Sequence, residues 1–98
     1  KNFKYDGSQL EMNQDSYKEF KIWDKELNRV YKLLYKGVSA KQKKVLKKKQ
    51  IRWIKKKEKE AAKEAAQWAG GSGQPLARNM VLITETKKRL RWLIRIYA

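Results

Sequence analysis

The sequence contains no cysteine and no histidine among its 98 residues. Without cysteine the chain can form no disulfide framework, thiolate nucleophile or cysteine-ligated metal site. Without histidine it also lacks the commonest general base and the commonest zinc ligand. These absences argue against a conventional hydrolase or a metal-dependent enzyme. We therefore predict a non-enzymatic protein with no catalytic residues, no metal and no cofactor.

Turn-forming residues are scarce, and long apolar runs are absent. One proline and five glycines leave few places for the chain to reverse, which favours a few long elements over many short ones. No apolar run approaches the roughly 20 residues that cross a bilayer, so we predict no transmembrane segment. A chain of 98 residues is long enough for one small core, which predicts a single helical domain over residues 1–98.

The apolar residues that are present recur every three or four positions, which is the period of an amphipathic helix. Two pairs have the spacing of a capping box, Ser8 with Glu11 and Ser39 with Gln42. The stretch GGSGQP reads as a loop, and Asn79 is a candidate cap beyond it. The predicted elements are an irregular lead-in at 1–7, helices at about 8–36, 39–69 and 78–97, and a loop at 70–75.

Three amphipathic helices can bury their apolar stripes only by meeting one another. We therefore predict an all-α fold, an elongated antiparallel three-helix bundle. In it the first two helices form a long hairpin and the third packs along that hairpin.

Acidic residues are few, and the net charge is +16. The excess is concentrated in residues 37–69, which carry twelve basic and three acidic side chains. Self-repulsion at this charge favours a soluble monomer. The basic residues of helix two recur at helical spacing, opposite its Trp53 face. They are Lys41, Lys44, Lys48, Arg52, Lys55, Lys59 and Lys63.

This lysine stripe has two interpretations. It is either a contact surface for an anionic polymer, or the solvated outer face that any bundle helix needs. Helix three adds Lys88, Arg91, Trp92 and Arg95 to the candidate surface. An exposed Trp92 could stack on a base or sugar, but we favour a place for it at the edge of the core.

Segments in each of the three predicted helices together form a motif, although the chain contains no internal repeat. The first, DKELNRVY, supplies Asp24, Leu27, Asn28 and Tyr31. The second, LKKKQIRWIKKKE, supplies Gln50, Trp53, Lys57 and Glu58, and the last helix supplies Thr86 and Arg89. On a helical wheel most of these face inward, so we expect a structural role. We also predict that Asp24 contacts Gln50 or Lys57 across the hairpin and sets its register.

These motifs resemble the secreted lysozyme-inhibitor LprI N-terminal-like family, in which an Asp-x-x-Leu-Asn-x-x-Tyr helix precedes a Leu-x-x-x-Gln-x-x-Trp helix. The resemblance implies a bacterial helical domain, periplasmic or secreted, with its signal peptide removed. It also implies a binding protein whose partner is lysozyme or another envelope protein.

The sequence departs from the family pattern in three ways. It lacks the cysteines that often flank these helices, and Lys57 and Glu58 replace an Arg-Asp pair. It is also far more basic than an inhibitor of a cationic lysozyme should be. The alternative is therefore a small basic helical protein that binds nucleic acid or another anionic polymer through the lysine stripe.

Overall fold

The computed structural model describes the backbone of residues 4–98 and the side chains from residue 9 onward. It contains three α-helices: α1 at Lys4–Gly37, α2 at Ala40–Ala66 and α3 at Gln74–Tyr97. No strand occurs in this part of the chain. The predicted all-α three-helix bundle is confirmed.

The start of α2 follows from its capping residues. The Ser39 hydroxyl accepts a hydrogen bond from the Gln42 backbone N–H at 3.2 Å, and the Ser39 N–H donates to the Gln42 side chain at 3.3 Å. The backbone N–H groups of Ser39 and Gln42, which have no partner within the helix, are thus both hydrogen-bonded. The capping box predicted at Ser39 is confirmed.

The predicted start of α1 is wrong. The helix begins at Lys4, so Ser8 lies inside it and cannot be its cap. The predicted lead-in at 1–7 is therefore helical from Lys4, and residues 1–3 lie outside the described part. Gly7 costs helix stability, about 1 kcal/mol relative to alanine, but does not break the helix as proline would.

The boundaries around the predicted loop also differ from the sequence prediction. α2 ends at Ala66, and the backbone turns at Gly70, whose φ of 82° suits a residue without a side chain. α3 begins at Gln74, before Pro75, because the fixed φ of proline matches the first helical turn. Asn79 therefore lies within α3, and its predicted role as a cap is wrong.

α3 is the helix against which both others pack. It runs antiparallel to α2, because Arg78 meets Glu58 and the later Arg89 meets the earlier Gln50. It runs parallel to α1, because Asn79 meets Ser16 and the later Lys87 meets the later Glu19. α1 and α2 approach each other less closely, and long side chains such as Lys57 bridge them. The described bundle measures 57 × 22 × 15 Å, which confirms the elongated shape.

The main cluster of the core is a layer of leucines where the three helices meet. Leu27, Leu46, Leu90 and Leu93 form it, each at most 8% exposed. Fully burying one such side chain stabilises the fold by about 1.5–3 kcal/mol. Trp23, Trp53 and Trp92 pack around this layer and close it toward solvent.

A polar contact joins α1 to α3 near the loop. The buried Asn79 amide donates to the Ser16 hydroxyl at 3.0 Å and to the Asn13 carbonyl at 3.4 Å. The Asn13 side chain in turn donates to the Ser72 carbonyl at 2.9 Å. Because buried amides need partners, this contact favours one register between α1 and α3.

Candidate functional site

The motif residues of α1 divide between core and surface. Leu27 is 1% exposed in the leucine layer, and Tyr31 is half-buried against it. Burial raises the pKa of the Tyr31 hydroxyl. Asp24 is half-buried and Asn28 is exposed, and both line a groove on the outer side of α1. Most motif residues were expected to face inward, but the Asn28 side chain faces solvent.

The motif residues of α2 and α3 come together around one guanidinium. The Arg89 carbon Cζ lies 4.0 Å from the centroid of the Trp92 ring and 5.6 Å from that of Trp53. Its Nε donates to the Gln50 Oε1 at 3.0 Å, and Gln50 is buried. Stacking and hydrogen bonding together fix this side chain between the two helices.

The predicted contact of Asp24 across the hairpin is not formed. Among residues 9–98, neither a hydrogen bond nor an ion pair joins Asp24 to Gln50 or Lys57. Gln50 instead meets Arg89 of α3, because α3, not α1, is the close neighbour of α2. The wheel position of Gln50 correctly indicated an inward side chain, but not which helix it would meet.

Lys57 is buried, and no carboxylate among residues 9–98 pairs with it. It is 5% exposed, and its Nζ lies 4.8 Å from the centroid of the Trp53 ring and 5.5 Å from that of Phe20. The negative faces of these rings attract the ammonium group. Lys57 therefore links α2 to α1 through aromatic contacts instead of an ion pair.

The remaining motif residues have separate environments. Glu58 is exposed and accepts a hydrogen bond from Arg78 of α3 at 2.7 Å. Thr86 is fully buried, and its hydroxyl has no hydrogen-bond partner among residues 9–98. Neither arrangement forms a nucleophile–base pair of the kind that catalysis requires.

The residues of the predicted anionic-partner surface lie toward solvent, except for Trp92. All seven basic residues of the lysine stripe on α2 are exposed. On α3, Lys88, Arg91 and Arg95 are exposed too, and Lys88 lies 3.8 Å from Glu85. Trp92 packs against the leucine layer and edge-on against Tyr97, which confirms its place at the border of the core.

Sequence reasoning missed two cations beside Arg89. Lys49 and Lys56 line a shallow cleft together with Arg52, Trp53 and Arg89. The Lys49 Nζ lies 5.7 Å from the centroid of the Trp92 ring. The spacing of Lys49, Arg52, Trp53 and Lys56 along α2 could have indicated a shared face, but the crossing of Arg89 from α3 could not be read from the sequence.

No helix within residues 4–98 combines the length and hydrophobicity of a membrane span.

Together these features define a small all-α protein whose motif residues mainly build a scaffold and whose outer surface is strongly basic. A family model described as "Lysozyme inhibitor LprI" matches residues 2–93. The chain belongs to this family, which confirms the resemblance seen in its motifs. No curated protein and no solved structure matches the chain significantly.

Proposed function

We propose that this protein is a non-enzymatic inhibitor of a lysozyme that acts in the periplasm or outside the cell. The observation that carries the proposal is the family match, which spans residues 2–93. Two features of the chain agree with a binding role. Its motif side chains serve mainly packing, and its sequence lacks histidine and cysteine.

The outer face of α1 is the surface best suited to a cationic lysozyme. α1 carries six acidic and seven basic residues, whereas α2 carries three acidic and twelve basic ones, so a cationic partner meets less repulsion at α1 than at α2. The face also exposes apolar side chains, with Ile22 67% and Leu33 56% exposed. Exposed apolar groups beside polar ones are typical of contact surfaces.

A turbidity assay with purified protein at physiological salt tests the proposal. We expect micromolar protein to slow the lysis of bacterial cells by at least one class of lysozyme. Unchanged lysis with every class of lysozyme would contradict an inhibitory function, although family membership would stand.

Two matched variants test the surface. Asn28→Arg adds bulk and one positive charge to the outer face of α1, whereas Ala62→Arg adds the same group to an exposed position on α2. We expect Asn28→Arg to weaken inhibition and Ala62→Arg to leave it unchanged. The reverse pattern would place the contact on α2 instead.

A second candidate function is binding of nucleic acid or another anionic polymer. The observation that favours it is the lysine stripe, whose seven basic residues are all exposed and, within the described part of the chain, form no ion pair. Such a face gives binding that weakens steeply with salt and has little sequence preference.

A gel-shift assay with DNA and RNA over a range of salt concentrations tests this second function. We expect binding at low salt that weakens linearly on a logarithmic scale as salt rises. No binding at low salt would rule the function out.

A further inference from the structure

The cleft beside Arg89 concentrates positive charge around one indole ring. Its lining contains four cations and one tryptophan, and it contains no acidic residue. The lining residues are Lys49, Arg52, Trp53, Lys56 and Arg89. Like charges this close repel one another, so the arrangement costs free energy unless an anion offsets it.

The sequence of α2 places most of the lining on one side of the helix. Lys49, Arg52, Trp53 and Lys56 are separated by three, one and three residues, so they lie along one face over two turns. Arg89 reaches the same place from α3, and the cleft lies where the two helices meet. It is distinct from most of the lysine stripe, of which it includes only Arg52.

Arg89 is held in place before any ligand arrives. Trp92 stacks on its guanidinium at 4.0 Å, and the buried Gln50 accepts its Nε–H at 3.0 Å. A free arginine side chain loses rotamer entropy when it binds a ligand, and here most of that loss already occurs on folding. A guanidinium that is already held in place at the wall of the cleft is suited to an oxyanion.

The charge on Arg89 has no counter-ion in the part of the chain whose side chains the structure describes. Among residues 9–98 no carboxylate pairs with it, and its buried Nη2 has no hydrogen-bond partner. Burial lowers the pKa of the Arg89 guanidinium, which reflects the cost of holding a cation there. A bound anion would offset that cost, with Lys49, Arg52 and Lys56 exposed around it.

We propose that this cleft binds a phosphate group carried on an organic molecule. Guanidinium and ammonium groups together match phosphate oxygens, and charge-assisted hydrogen bonds to them are among the strongest in proteins. The half-buried ring of Trp53 provides an apolar wall for the carrier. The inference concerns one site and does not depend on lysozyme inhibition or on the lysine stripe as a whole.

Titration of 15N-labelled protein with glycerol 3-phosphate, followed by NMR, tests the proposal. We expect saturable shifts of the Arg89 Nε–H and the Trp53 indole N–H signals, with inorganic phosphate binding more weakly. Sodium chloride at equal ionic strength should not reproduce them. Shifts that never saturate, or that chloride matches, would overturn the proposal.

Neighbouring lysines provide a matched pair of variants. Lys56→Gln removes a lining cation, whereas Lys55→Gln removes an exposed cation outside the cleft. Loss of one charge-assisted hydrogen bond should weaken binding by about tenfold for Lys56→Gln. Lys55→Gln should change it by about twofold at most, the small effect of a screened surface charge. Equal losses in both variants would indicate diffuse electrostatic attraction and overturn the site.

Arg89→Lys provides a second test, because it keeps the positive charge and removes the planar guanidinium group. We expect it to weaken glycerol 3-phosphate binding by about tenfold or more, because lysine cannot keep the stack on Trp92 and the hydrogen bond to Gln50 that hold the cation in place. Circular dichroism checks that the variant remains helical. Unchanged affinity in folded Arg89→Lys would contradict the central role of the guanidinium. Lysozyme inhibition measured on the same variants keeps the two proposals separate.

Discussion

Thr86 is a polar residue at a position that packing alone would fill with an apolar one. It is fully buried, and its hydroxyl has no partner within residues 9–98. An unsatisfied buried hydroxyl costs about 1–3 kcal/mol of stability. The motif therefore retains a group that the fold does not use for hydrogen bonding.

We predict that Thr86→Val stabilises the protein by about 1 kcal/mol, because valine has nearly the same shape and no hydroxyl to desolvate. Thr84→Val, at an exposed position of the same helix, is the matched control and should change stability by less than about 0.5 kcal/mol. Urea unfolding followed by circular dichroism measures both. A destabilised Thr86→Val protein would show that the hydroxyl makes a favourable contact.

Lys57 is a buried cation that pairs with no acidic side chain among residues 9–98. Its ammonium lies near the rings of Trp53 and Phe20, and its methylene stem packs between α1 and α2. We predict that Lys57→Ala destabilises the protein by about 2 kcal/mol, because it removes two desolvated cation–π contacts and the packing of the stem.

Lys59 is the matched control, since it lies two residues away and is exposed. Lys59→Ala should change the free energy of unfolding by less than about 0.5 kcal/mol. Equal effects of the two substitutions in urea unfolding would mean that the aromatic contacts of Lys57 contribute nothing.

At the scale of the element, a capping box between two residues close in sequence stabilises the start of α2. Ser39 and Gln42 cap each other's backbone, and both hydrogen bonds lie at the surface. We predict that Ser39→Ala destabilises the protein by about 1 kcal/mol, through loss of a partner for the Gln42 N–H. Thermal unfolding measures the effect.

Ser72→Ala is a suitable control for Ser39→Ala, because Ser72 is exposed and its described hydrogen bond uses the backbone carbonyl. Its melting temperature should stay close to that of the unchanged protein. A Ser39→Ala protein as stable as the control would show that water replaces the cap without cost.

Helices were predictable from the sequence wherever a local signal determined them. The Ser39 cap follows from neighbouring residues and was correct, and α1 ends one residue beyond the predicted position 36. The start of α3 was predicted too late, at about residue 78, because Asn79 was taken as its cap. Pro75, four residues earlier, also suits the first turn of a helix. A capping residue indicates a possible start, but does not decide between two starts.

The candidate site was less predictable, because it depends on which helices are neighbours. The wheel positions of Gln50, Trp53 and Lys57 correctly predicted inward side chains. Their partners Arg89 and Phe20 lie 39 and 37 positions away from Gln50 and Lys57 in the chain, and no local pattern pairs them. Contacts of this kind follow from packing, so only the assembled bundle shows them.

At the scale of the whole molecule, the net charge of +16 lies on a narrow body 57 Å long. Ion pairs among residues 9–98, such as Arg78 with Glu58, lie at the surface and offset little of this charge. Self-repulsion therefore opposes the compact state throughout.

We predict that the melting temperature rises with salt. Between about 0.01 M and 0.15 M ionic strength the Debye length falls from about 30 Å to about 8 Å, which screens most repulsion along the bundle. A gain of about 1 kcal/mol corresponds to roughly 4–8 °C for a domain of this size. Scanning calorimetry in sodium chloride measures it, with sucrose at equal osmolality as an uncharged comparison. A constant or falling melting temperature would contradict dominant repulsion.

The central position of α3 has a consequence for the order in which the protein is made. α3 follows the other two helices in the chain, yet both of them bury their apolar stripes against it. During synthesis, α1 and α2 emerge with those stripes uncovered, and the bundle can close only after residues 74–97 arrive. We expect a chain that stops at Ser72 to lack a cooperative unfolding transition by circular dichroism. A sharp transition in that shorter chain would show that the hairpin folds alone. Folding therefore waits until α3 has been synthesised. Until then the exposed apolar stripes of α1 and α2 are accessible to proteases and chaperones.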